Sequence, residues 1–89
     1  MLTPPETYFA QALRYIRVDA EMTPEALALA IDMAPSEISR LEHGYRRPRY
    51  DTMKRLAKGL EVPCWQMVWL AEQLETGVRA DDLSWPPSG

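Results

Sequence analysis

Apolar residues recur at helical spacing along the sequence, and the stretch Met22–Gly44 shows this most clearly. Leu27 and Ile31 fall on one face of a short helix, because residues four apart lie above one another. Ile38 and Leu41, which are three residues apart, share one face of a second short helix that follows after a turn of about three to four residues. The pattern therefore predicts two short helices joined by a tight turn, each with one buried face.

Both helices have recognisable ends. Thr23 can cap the first helix with its hydroxyl, and Pro24 occupies the first helical position, where a missing N–H costs nothing. Pro35 starts the second helix in the same way, and Gly44 suits its C-terminal end. Asp32 lies where the chain must turn, a geometry that aspartate tolerates well. A second helix with polar side chains after such a turn is the layout of a DNA-reading helix-turn-helix.

Three further helices are expected around this pair. One follows a capping box at Thr3–Glu6 and runs to about residue 20, another spans about 50–60, and the last runs from about 63 to 76. The helix that ends near residue 20 and the helix over about 50–60 each have a predicted inward face. Its residues are Phe9, Ala12, Leu13, Ile16 and Ala20 in the former, and Met53, Leu56, Ala57 and Leu60 in the latter. The last helix is so apolar that more than one of its faces should be buried.

The final residues are expected to form a tail rather than another helix, because Pro86 and Pro87 prevent a helix from continuing past Trp85. Leu83 and Trp85 either dock on the domain or belong to a disordered segment, and both alternatives stay open. The predicted architecture is an all-α, compact five-helix domain over residues 1–77 with a short C-terminal tail over residues 78–89.

Composition narrows the classes of protein. Eighty-nine residues make one small domain near the lower limit for a self-supporting core, so oligomerisation is an expected source of stability. The sequence has no run of 18 apolar residues and no signal peptide, which predicts a cytoplasmic protein without a membrane partner. One cysteine, Cys64, and one histidine cannot form an internal disulfide or a zinc site, so Cys64 is interpreted as a small hydrophobe. No metal or cofactor is expected.

The charge of the chain is unevenly distributed. A formal net charge of −3 argues by itself against a nucleic-acid partner. Between Arg40 and Lys58, however, there are seven basic and two acidic residues, a local charge of +5, which leaves −8 for the rest. Three of the seven, Arg46, Arg47 and Arg49, lie within four residues of one loop. The distribution indicates a basic face on an acidic body.

These pieces together resemble the phage-repressor/Cro family, the lambda-repressor-like, XRE-type helix-turn-helix domains. The matching text is Leu13 to Arg17, then MTPEALALA, ISRLEHG and RRPRYDTMKRLAKGLEVP, in order and without a large gap over roughly residues 9–74. The resemblance implies a DNA-binding transcriptional regulator with double-stranded DNA as its partner. In this family such a regulator is expected to be a repressor that binds a palindromic operator as a homodimer.

The family register implies that the outward face of residues 35–43 reads bases. The expected base contacts are Pro35, Ser36, Glu37 and Arg40. Arg40 suits guanine O6 and N7, whereas Pro35, which stands where the family often has glutamine, offers only apolar contact with a thymine methyl. Two roles of Glu37 stay open. Its carboxylate accepts a hydrogen bond from cytosine N4, or it has only a structural role, in which it interacts favourably with the positive end of its helix dipole or pairs with Arg40. The expected phosphate contacts are Thr23, Ser39, His43, Arg46, Arg47 and Arg49, with Lys54 and Arg55 as further candidates.

The resemblance also implies a structural ion pair between Arg17 and Glu42, which would tie the first helix to the third. Two interpretations of the last helix stay open. Trp65, Trp69 and Leu70 contact the second copy of a homodimer, or the two tryptophans merely cover a small core.

The sequence is compatible to different degrees with three classes of function. A sequence-specific DNA-binding regulator explains the clustered arginines best. An antitoxin-like protein-interaction module with the same fold and weak or no DNA binding is the alternative, favoured by the acidic balance, by Glu37 and by prolines at both motif helices. An enzyme is disfavoured, because the sequence has no glycine-rich phosphate loop and no metal-ligand cluster.

Overall fold

A computed structural model describes residues 5–87, with side chains from residue 8 onward. Its helices are α1 (Pro5–Asp19), α2 (Pro24–Ala30), α3 (Pro35–Glu42), α4 (Tyr50–Leu60) and α5 (Cys64–Glu75), followed by a 3₁₀ turn at Ala80–Asp82. No strand occurs in this part of the chain, and the predicted five-helix, all-α fold is confirmed. The capping box expected at Thr3–Glu6 lies outside the described residues and side chains.

One apolar core holds the five helices together, and α1 packs most extensively against α5. Its buried members are Phe9, Ala12, Leu13, Ile16, Leu27, Ala28, Ile31, Ile38, Leu41, Leu56, Ala57, Leu60, Met67 and Leu70. Met53 is half-buried against them. Ala20 is an exception among the predicted inward residues. It is exposed because α1 ends one residue earlier, at Asp19.

The ends of α2 follow the predicted local chemistry. The N–H of Ala26 donates to Thr23 Oγ1 at 3.0 Å, and Pro24 is the first helical residue. Asp32 adopts the left-handed conformation, with φ of 54°. This reverses the chain and lets α3 begin after a short turn.

Gly59 marks the closest approach of α4 to α2. A Cβ atom at this position would lie 2.5 Å from Ile31 Cγ2 and 2.9 Å from Leu27 Cδ1. Glycine is therefore required for packing rather than as a helix end, since α4 continues to Leu60.

Residues after α5 return to the body of the domain. Leu83 and Trp85 pack against the core, and the Trp85 ring meets Tyr15 of α1 edge-on, with ring centroids 6.4 Å apart. The division into a domain over 1–77 and a tail over 78–89 stays a prediction. Among the described helices, none is long and apolar enough to cross a membrane.

Candidate nucleic-acid interface

The outward face of α3 is set by its buried face. Ile38 and Leu41 are fully buried, which fixes the rotation of the helix about its axis. The exposed residues of the helix include Pro35, Ser36, Ser39 and Arg40. Four of the predicted contacts thus lie at the surface of one short helix, with Arg40 in its last turn.

The loop between α3 and α4, which contains Arg46, Arg47 and Arg49, turns back towards α3 because of its backbone geometry. Gly44 has φ of 74°, and its N–H donates to the Leu41 carbonyl while the Tyr45 N–H donates to the Arg40 carbonyl. These two bonds form a Schellman motif, which ends the helix and turns the chain. As a result, Arg46 Nη1 of the loop donates to Glu37 Oε2 in the first turn of α3.

The partner of Glu37 differs from the one that sequence spacing suggested. Glu37 pairs with Arg46, nine residues on, rather than with Arg40 in the next turn. The two side chains keep 43% and 45% of their surface exposed, so the pair is open to solvent. Arg46 thereby lies beside the same helix that presents Arg40. Arg47 and Arg49 are exposed further along the loop, and Arg49 immediately precedes α4.

His43 follows α3 and is held against its own chain. Its Nδ1 lies 2.7 Å from the Ser39 carbonyl oxygen, and its ring stacks on Tyr45 at a centroid distance of 5.7 Å. Because a carbonyl oxygen can only accept, Nδ1 carries a proton. These contacts hold the ring close to the end of α3.

Arg17 and Glu42 are brought together beneath α3. Arg17 Nε and Nη2 donate to the two Glu42 carboxylate oxygens at 2.5 and 3.0 Å, and Nη1 donates to the Met22 carbonyl at 2.7 Å. The side chains are only 11% and 8% exposed. The hydrogen bonds to Glu42 raise the pKa of the Arg17 guanidinium, against an opposing effect of desolvation. The pair thus joins α1 to the C-terminal end of α3.

Arg55 has a role that spacing and composition did not indicate. Its Nη2 donates to the Ile31 carbonyl and, at 3.1 Å, to the Asp32 carbonyl. The last carbonyls of a helix lack partners within it, and Arg55 supplies one from α4. Arg55 therefore supports the turn before α3, and its place as a candidate phosphate contact stays a prediction. The left-handed Asp32 signals a helix end that needs donors, but not which residue provides them.

Lys54, the other candidate on α4, lies over a neighbouring aromatic ring. Its Nζ is 5.4 Å from the centroid of Tyr50, one turn earlier. This cation–π contact leaves the ammonium group at the surface.

One face of α5 packs in the core and another lies at the surface. Leu70 is fully buried in the core of its own chain, so its predicted dimer contact is wrong: no surface of its side chain is left for a partner. Trp69 is half-buried against the core, whereas Trp65 and Val68 are 49% and 38% exposed. An apolar groove of about 470 Å³ is lined by Tyr50, Cys64, Trp65, Val68, Trp69 and Glu72. Val68 and Tyr50 also line this groove, and helical spacing alone does not single them out.

No group of three potential metal ligands occurs among the residues that the structure describes. Cys64 is half-buried at the start of α5. The exposed residues of α3 and of the loop after it offer hydrogen-bond donors and positive charge at the surface.

Comparison with known proteins places these features in a family. A family model described as helix-turn-helix matches residues 13–64. The HTH-type transcriptional repressor RghR of Bacillus subtilis (strain 168) is 32% identical over 68 residues, which cover 75% of this chain and 50% of that protein. The chain therefore spans about half the length of this curated relative.

Solved structures share the fold at lower sequence identity. The clp gene regulator ClgR from C. glutamicum has a TM-score of 0.79 and 22% identity, covering 82% of this chain and 95% of that one. The restriction-modification controller protein C.AhdI from Aeromonas hydrophila has a TM-score of 0.68 and 24% identity, covering 70% and 94%. At these identities the likeness shows a common fold.

Proposed function

Because the chain belongs to the helix-turn-helix family of DNA-binding transcription regulators, we propose that it is a repressor that binds a palindromic operator as a homodimer. The observation that carries the proposal is the surface formed by α3 and the loop after it. Arg40 is exposed on the helix, and the Schellman turn returns Arg46 to the same helix. A helix of this length with one polar, exposed face suits the major groove.

In this proposal, α3 enters the major groove and reads bases with Arg40, Ser36, Glu37 and Pro35. Arg40 makes the main contact, bidentate to guanine, because its guanidinium is exposed in the last turn of α3. Pro35 contacts a thymine methyl. We expect Arg40→Ala to lower affinity by about 1–3 kcal/mol and to relax preference at one base pair. A selected binding motif unchanged by Arg40→Ala would refute this assignment.

Backbone phosphates are bound around that helix. The proposed phosphate contacts are Thr23, Ser39, His43, Arg46, Arg47 and Arg49. Thr23 keeps its hydroxyl hydrogen available, since in the cap its oxygen is the acceptor. Phosphate contacts position the protein without reading sequence, so losing a contact that forms on every duplex should weaken binding to all sequences alike.

The second copy is proposed to pack on Trp65 and Trp69, together with Val68. The support is the exposure of Trp65 and Val68, three residues apart on one face of α5, beside an apolar groove. A twofold axis through this face would place the same surface of both copies in contact. Binding to adjacent half-sites requires the two α3 helices to lie about 34 Å apart, one turn of B-DNA.

In vitro selection of bound duplexes tests the proposal directly. A palindromic motif with half-sites about one helical turn apart is expected. Trp65→Ser should shift the protein towards monomer in sedimentation analysis, whereas Leu29→Ser, which alters an 85% exposed residue of α2, serves as the matched control. Absence of any salt-dependent affinity for duplex DNA would refute DNA recognition and favour a protein-interaction module instead.

A further inference from the structure

The contact between Glu37 and Arg46 has a consequence for sequence discrimination. Glu37 lies in the first turn of α3, among the residues proposed to read bases, and its carboxylate accepts from a loop arginine proposed to bind phosphate. Each group would act differently alone. A lone carboxylate repels the DNA backbone, whereas a lone guanidinium attracts phosphate of any sequence.

We propose that Glu37 and Arg46 form a specificity-determining switch: Glu37 holds Arg46 away from phosphate on non-specific DNA and releases it when a cytosine amino group takes its place. The inference rests on the proposed function and names the part that this pair plays in it. On a matching site, cytosine N4 donates to the Glu37 carboxylate, and Arg46 is freed to bind a neighbouring phosphate. On other sites no donor replaces the guanidinium, and the pair stays closed.

The exposure of the pair makes such an exchange feasible. Both side chains keep more than two fifths of their surface in water, and ion pairs of that kind contribute little to folding. Opening the pair therefore leaves the fold intact. The Arg17–Glu42 pair differs in this respect, because its side chains are at most 11% exposed.

The salt dependence of binding to random duplex separates the switch from two independent charges. Each phosphate contact contributes about 0.9 to the slope of log affinity against log salt. In the switch, Arg46→Ala leaves the slope of the wild type nearly unchanged, because Arg46 makes no non-specific phosphate contact. Glu37→Gln steepens it by about 0.9, and Glu37→Gln/Arg46→Ala returns it to the wild-type value. Between 50 and 200 mM salt, one extra contact corresponds to about a 3.5-fold larger loss of affinity.

Independent charges give the opposite pattern. In that case Arg46→Ala lowers the slope by about 0.9 in both backgrounds, and Glu37→Gln leaves it unchanged; this outcome overturns the switch. Glu75→Gln, an exposed carboxylate on α5, is the control for loss of one negative charge and should leave the slope unaltered. On the selected operator, Glu37→Gln should also lose discrimination at one cytosine, and retained discrimination would likewise contradict the switch. If the wild type shows no salt-dependent binding, the proposed function itself fails, so the two failures are distinguishable.

Discussion

Replacing Arg17 with methionine tests how strongly the interface depends on the ion pair beneath it. The change leaves the Glu42 carboxylate, 8% exposed, without its two donors, and it leaves the Met22 carbonyl without one. Breaking a buried pair from one side costs about 3–5 kcal/mol, because the remaining charge is buried and uncompensated. A chain of 89 residues has a free energy of unfolding of about 4–13 kcal/mol. Arg17→Met should therefore remove a large part of it.

Urea unfolding followed by circular dichroism at low temperature measures the loss in free energy of unfolding. In thermal unfolding, each kcal/mol lost corresponds to a decrease in Tm of roughly 4–8 °C. The double variant Arg17→Met/Glu42→Leu should be more stable than Arg17→Met alone, since it removes the unpaired charge as well. Arg79→Met breaks a pair that is 78% and 82% exposed and should leave the midpoint unchanged. A loss below about 1 kcal/mol for Arg17→Met, or additive losses in the double variant, would refute the reasoning.

Three further changes test the supports of α2. Thr23→Ala should lower the free energy of unfolding by about 1 kcal/mol, because the Ala26 N–H loses its cap, whereas Thr23→Ser should retain most of the wild-type stability. Equal melting curves for Thr23→Ala and the wild type would contradict this. Gly59→Ala should destabilise by about 1–3 kcal/mol despite the better helix propensity of alanine, because its Cβ would overlap Ile31, and a raised Tm would show that α2 and α4 separate freely. Arg55→Met should lower the free energy of unfolding by about 1–3 kcal/mol, because the Ile31 and Asp32 carbonyls lose the guanidinium as a donor. Unaltered stability together with a weaker salt dependence of DNA binding would instead indicate that Arg55 is a phosphate contact.

Helix positions and helix ends were predictable from the sequence because they depend on residues within about one turn of each other. Thr23 caps α2, Asp32 takes the left-handed turn, and Gly44 ends α3, as local chemistry indicated. The buried faces followed from apolar spacing in the same way. The family resemblance added the pairing of Arg17 with Glu42, which the structure places in contact across 25 residues.

Tertiary structure decided which charges meet and which apolar residues stay exposed. Arg46 pairs with Glu37 across nine residues, and Arg55 reaches the Ile31 carbonyl across 24. Leu70 is buried while Trp65 on the same helix is exposed. Hydrophobic periodicity identifies the buried face of a helix, but the partner of a long charged side chain depends on the positions of the other helices. The relative positions of the helices are fixed only when the whole core packs, so rules based on neighbouring residues do not predict them.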